Sequence, residues 1–214
     1  DGRGGVAGPG ATVLVRGERI EAVLPSGARP PPGAARVDGA GGWLLPGFID
    51  MHAHLLVPRC EPPPGSDSPF DRVVSERTLA ALLDFGITTV RSPATPTVEG
   101  LKLRDDLNAG RVRGPYALAS AELINDPRWD EAKLRAYVRE ALPHRPDYFK
   151  VYARLPPESV KIVVDEAHRH GVPVIGHMGA TSWSEAVDLG VDHLTHAVDW
   201  SPLMLRPERR PAYE

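Results

Sequence analysis

Two histidines stand two residues apart in Pro46-Gly47-Phe48-Ile49-Asp50-Met51-His52-Ala53-His54, at the end of a short apolar run. On a β-strand, residues i and i+2 point to the same side. His52 and His54 are therefore expected to project together, and two imidazoles can close on one metal ion. Neutral imidazole is a favoured ligand of zinc and other late divalent metals. In a chain with 8 histidines one such pair is a weak signal by itself. Three later residues strengthen it. Lys150, His177 and His196 each sit in a short apolar run that reads as a strand and follows a helix-like segment.

The other residues with chemical potential read differently. His193 and His196 are three apart, so a strand turns them to opposite faces and only one can join an inward site. His168 and His170 end a helix, where imidazole interacts favourably with the dipole. His144 lies between prolines and is assigned no role. Asp50 shares a strand face with the histidine pair and could hydrogen-bond within the site. Cys60, the single cysteine, lies in a Pro-rich loop and is read as inert. Tyr152, Arg154 and Trp183 are candidates for a pocket wall.

These residues need strands to hold them, and the chain supplies an alternating pattern. The expected strands are 47–54, 87–91, 115–120, 148–153, 173–177 and 193–198. The helices between them run over 71–85, 97–109, 130–142, 156–170 and 182–189. Gly86, Gly110, Gly171 and Gly190 stand at helix C-termini. Asp130 is an N-cap, and Ser182-Trp183-Ser184-Glu185 spells a capping box. Before Pro46, residues 11–15 and 19–24 alternate around Arg16-Gly17-Glu18, a hairpin signal, so 1–45 is read as a small β subdomain.

Six successive βα steps imply an α/β fold with a parallel sheet. An open doubly wound sheet competes with a (β/α)8 barrel. The ligand candidates favour the barrel, because residues at the C-terminal ends of four strands converge only when the sheet closes. A whole barrel takes about 250 residues, so the chain is expected to be part of a longer protein. Open strand edges would then invite self-association, as a homo-oligomer or an aggregate.

Composition narrows the function. The formal net charge of -3 gives no electrostatic case for nucleic acid or an anionic membrane. No apolar run approaches the roughly 18 residues of a membrane-spanning helix. One cysteine excludes an intramolecular disulfide and fits a reducing, cytoplasmic setting. Only Lys102, Lys133, Lys150 and Lys161 are lysines, so Lys150 stands out where arginine is the usual cation.

The chain resembles the amidohydrolase superfamily, in the branch of imidazolonepropionase-like and prolidase-like hydrolases. The resemblance rests on PGFIDMHAHL, GITTVR, the lysine of DYFKVYA, the histidine of PVIGHMG and the final histidine of GVDHLTHA. It covers about residues 11–200. It implies a (β/α)8 TIM barrel over 46–214, here about six βα units, with a partial β-sandwich over 1–45. It also implies that His52 and His54 hold one metal ion and that His177 and His196 hold a second. Lys150 would bridge the two as a carboxylated lysine, with zinc the expected metal. The family pattern selects His196 over His193. It includes a strand-eight Asp as general base, and no residue of this sequence matches it.

The lysine chemistry is physically reasonable. Tyr148, Lys150 and Tyr152 share one strand face, and burial of Lys150 favours its neutral amine. Such an amine can combine with carbon dioxide to give a carbamate with two oxygens for bridging. The implied activity is metal-dependent hydrolysis of a C–N bond, amide or cyclic amide, in a small molecule. Two alternatives are a catalytically silent, scaffold-like member and an amino-sugar deacetylase.

Overall fold

The computed structural model describes residues 10–25, 27–58, 70–196 and 206–208, with side chains left out at 57 and 58. Cys60, most of the Pro-rich loop after Val57, and the end of the expected sixth strand lie outside the described residues. The chain divides into two compact units, Asp1–Pro46 and Gly47–Glu214.

In the first unit β1 (Thr12–Arg16) pairs antiparallel with β2 (Arg19–Leu24). The two-residue turn uses Gly17 at φ +58, a conformation that suits glycine. This hairpin is the one sheet among the described residues of the unit.

The second unit carries the βα steps. It opens with β3 (Phe48–Asp50), followed by the short antiparallel pair β4 (Val57–Pro58) and β5 (Phe70–Asp71). Helix α1 (Arg72–Asp84) starts where Asp71 accepts a hydrogen bond from the Val74 amide at 2.9 Å. Then come β6 (Ile87–Ser92), α2 (Thr97–Asn108) and β7 (Tyr116–Ala119). Asp130 caps α3 (Glu131–Ala141) through the Lys133 amide at 2.8 Å. After a 3-10 turn at Leu142–His144 follow β8 (Phe149–Val151), α4 (Pro157–Arg169), β9 (Val174–Gly176), α5 (Trp183–Asp188) and β10 (His193–Leu194).

The strands pair in parallel and in chain order: β3–β6–β7 in one sheet and β8–β9–β10 in another. Parallel bridges Ser120↔Tyr148 and Ile124↔Val151 join the two groups. The order never reverses along these six strands, unlike the doubly wound alternative. The fold of this unit is therefore α/β, with each strand laid beside its predecessor.

The packing decides which way the site residues face. Phe149 and Val151 are fully buried against Val160, Val163 and Val164 of α4 and Leu134 and Val138 of α3. Strand alternation then sends Tyr148, Lys150 and Tyr152 to the side away from those helices. On β9, Val174 joins the same helix-facing cluster, so Ile175 and His177 face away from it. Lys150, at 1 % exposure, is among the most deeply buried side chains of the chain. A second cluster, with Leu79, Val90, Leu101, Leu103 and Leu107, seats α1 and α2 against β6 and β7. No helix among the described residues is long and apolar enough to cross a membrane.

Candidate metal centre

The histidine pair does not lie on its strand. Regular pairing of β3 ends at Asp50, and His52 and His54 fall in the bend that follows. The cause is local: the Asp50 carboxylate accepts the His52 amide at 2.9 Å, which curls the chain just past the strand. The expectation of a strand over 47–54, with both rings on one pleat face, is corrected accordingly. The two rings remain neighbours, with centroids 5.5 Å apart and planes at 71°. Asp50 thus engages the backbone that carries His52.

His196 arrives by a different device. β10 ends at Leu194, short of the expected 193–198, and Thr195 is the buried residue beyond it. Thr195 donates its hydroxyl to the Gly176 carbonyl and accepts from Lys150 Nζ, both at 3.0 Å. Simple alternation would send the next side chain outward. Instead His196 adopts φ +70, the left-handed region uncommon for a residue with a Cβ. Its ring centroid stands 4.7 Å from those of both His52 and His177. His196 Nε2 and His177 Nδ1 are 3.0 Å apart. His177 packs also on Tyr152, at 4.4 Å between centroids, and Lys150 Nζ lies 5.8 Å from the Tyr152 ring centre.

All five candidate ligands therefore gather at one place: His54 beside His52, His52 beside His196, His196 beside His177, and Lys150 beneath. The His52 ring has its pKa drawn down to about 4, by burial first and by the neighbouring Lys150 next. A neutral imidazole has a free lone pair for a metal. The donor set fits a divalent ion in kind, as four imidazoles with a buried lysine. Two ligands of one tetrahedral zinc at 2.0–2.1 Å stand about 3.3 Å apart, close to the separation of the His177 and His196 nitrogens. Among the described residues no group of three or more His, Cys, Asp or Glu side chains already surrounds a single point as metal ligands would.

His168 and His170 make structural contacts instead. His168 Nε2 meets Asp192 Oδ2 at 2.9 Å, and the same oxygen accepts the Val174 amide at 2.7 Å. His170 lies 3.6 Å from the buried Glu166. His193 is exposed on β10.

No family model matches the chain. A stretch of 49 residues is 53 % identical to the imidazolonepropionase of Aromatoleum aromaticum and covers 21 % of this chain and 11 % of that protein. A solved structure from Bifidobacterium longum, assigned as a prolidase, superposes with TM-score 0.69 and 26 % identity over 86 % of this chain and 48 % of its own. Molinate hydrolase shares the fold, with TM-score 0.70 and 22 % identity, covering 92 % and 56 %. In sequence and in fold the chain is similar to members of the amidohydrolase superfamily. It spans about half of each of these amidohydrolase-type structures.

A cavity of about 610 Å³ is lined mainly by residues that follow β6, β7 and β8. Ala94 and Pro96 come from the first loop, Asn125 and Trp129 from the second, and Arg154 from the third. Arg154 was among the residues read as a pocket wall. Trp183 was too, but it packs against the core cluster of α3 and α4 instead. Tyr152 lies against His177. Trp129, Tyr137 and Asp126 are cavity residues that sequence reasoning passed over. Trp129 and Tyr137 stack at 5.5 Å, a contact between a loop and α3 that spacing does not show.

Proposed function

We propose that this chain carries the metal centre of an amidohydrolase that cleaves a C–N bond, amide or cyclic amide, in a small molecule. The reading includes a (β/α)8 barrel to which the six successive parallel strands belong. The observation that supports it best is the gathering of His52, His54, His177 and His196 around the buried Lys150. The relatives it resembles are hydrolases of C–N bonds.

In this reading His52 and His54 hold one divalent ion, His177 and His196 a second, and zinc is the metal proposed. Bound there, the ions polarise the scissile carbonyl and lower the pKa of a water. The side chains do the rest. Burial of Lys150 favours its neutral amine, which can form an N–C bond to carbon dioxide and lose a proton, leaving a bridging carbamate. Thr195 steers that amine through its hydroxyl, and Tyr152 fixes the His177 ring by contact. The cavity admits the substrate, with Arg154 and Trp129 on its wall.

A silent, scaffold-like role is favoured by one observation. The Asp50 carboxylate, two residues before His52, is engaged by the His52 backbone amide. Elemental analysis together with turnover of a panel of small amides, ureas and N-acetylated amino sugars separates the readings. Two metal equivalents with amide or urea hydrolysis support the proposal. Metal without turnover favours the scaffold, and turnover confined to the N-acetyl sugars favours a deacetylase.

A further inference from the structure

The histidine pair sits beyond the regular part of its own strand, so something else must hold it. The holder is the C-terminal end of the neighbouring strand, β6. Arg91 Nε donates to the Met51 carbonyl at 3.0 Å. The Arg91 carbonyl accepts the Ala53 amide at 3.0 Å. The Ser92 hydroxyl accepts the Leu55 amide at 3.0 Å. Met51, Ala53 and Leu55 alternate with His52 and His54, so each histidine is bracketed by two pinned residues.

The clamp is buried, and the proton of its serine hydroxyl is accounted for. Arg91 and Ser92 are 8 % and 1 % exposed. Thr95 Oγ1 donates to the Ser92 carbonyl at 3.2 Å and lies 2.8 Å from Ser92 Oγ. Its single proton being used, the Ser92 hydroxyl must donate to Thr95 and accept from Leu55. The Ser92 hydroxyl thus has one rotamer and one role. Leu55 itself, 1 % exposed, is anchored in the cluster beneath α1 and α2. The far end of the clamped segment is therefore rigid as well.

We infer that Arg91 and Ser92 are positioning residues for His52 and His54: the end of β6 fixes where the pair stands. They touch no reacting atom and act through the backbone on either side of each ring. The functional consequence rests on the proposed metal centre. Partners that orient ligands in this way alter metal affinity by about 10- to 100-fold.

The test uses the full chain and two variants, Arg91→Met and Ser92→Ala, with Asp130→Ala as a control that weakens a helix cap elsewhere. Amide hydrogen exchange by NMR is read first, without metal. In Ser92→Ala the Leu55 amide loses its acceptor, and in Arg91→Met the Met51–His52 peptide is released, so the Leu55 and His52 amides respectively should exchange at least about tenfold faster, with core amides of β8 unchanged. Cobalt(II) is then titrated and followed by its visible d–d bands. Both variants should bind about 10- to 100-fold more weakly with altered bands, while Asp130→Ala should match the wild type. Unchanged exchange at both amides, or wild-type cobalt binding in both variants, overturns the inference. A wild-type chain that takes up no cobalt counts against the metal centre alone, and the exchange rates then decide whether the clamp exists.

Discussion

His196 Nε2 stands 3.0 Å from His177 Nδ1, and it does so because the backbone of His196 is left-handed, at φ +70. The two residues leave parallel neighbouring strands, β9 and β10, whose regular alternation would have turned them to different sides. An L-residue in this region costs roughly 1–2 kcal/mol. Backbone strain of that kind concentrates where a side chain has work to do.

That strain can be measured. His196→Gly removes the imidazole and the Cβ, whereas His196→Ala removes the imidazole but keeps the Cβ. The glycine variant should be the more stable of the two by about 1 kcal/mol in urea denaturation. Both should lose metal. Equal stability would mean that residue 196 is not held at positive φ in solution.

Lys150 is buried at 1 % exposure with its amine on Thr195. Arginine cannot replace it, since guanidinium stays protonated and forms no carbamate. Lys150→Arg should lose one of two metal equivalents, read by elemental analysis. Lys150→Ala should regain metal when acetate or propionate is added, because the added carboxylate supplies the missing bridge. Two full equivalents in Lys150→Arg would remove the bridging role.

The capping box predicted at Ser182 is present. The Ser182 hydroxyl accepts the Glu185 amide at 3.2 Å, and the Glu185 carboxylate accepts the Ser182 amide at 2.8 Å. Ser182→Ala should cost about 1 kcal/mol, measured by urea denaturation. A change below the error of the fit would mean that α5 is held by packing alone.

Glu166 gives a pH signature away from the metal centre. It is 1 % exposed and receives hydrogen bonds from Arg139, Arg135 and Arg169. The Arg139 hydrogen bond is the main cause that draws its pKa from 4.5 to about 2. A carboxylate depressed in the folded state adds stability above its unfolded pKa, and this is lost as pH falls toward the folded value. Stability should therefore fall between about pH 5 and 2 in the wild type, and the Glu166→Gln variant should show a shallower fall. Identical acid limbs in the two proteins would exclude this contribution.

Much of the architecture was legible because local signals carried it. Asp130 and Ser182 cap the helices they precede, and the buried Phe149 and Val151 mark β8 by their apolar alternation with Lys150. The strand ends were not legible. Asp50 stops β3 through a bond to its own i+2 amide, and no sequence signal separates that from two more residues of strand. The left-handed His196 was hidden for a related reason, since neither glycine nor asparagine occupies the position. Long-range partners stayed invisible too: the Arg91 bond to Met51 spans 40 positions, and the cavity wall joins three loops.

The proposed metal centre consists of His52, His54, His177 and His196 with Lys150. Anomalous diffraction at the zinc edge, on crystals of the zinc-loaded protein, tests it most directly. Two peaks about 3.5–4 Å apart should appear, one about 2.0–2.1 Å from ring nitrogens of His52 and His54 and the other at that distance from His177 and His196. Continuous density should join Lys150 Nζ to both. No peak among these rings, or zinc bound only elsewhere on the chain, would rule out this metal centre.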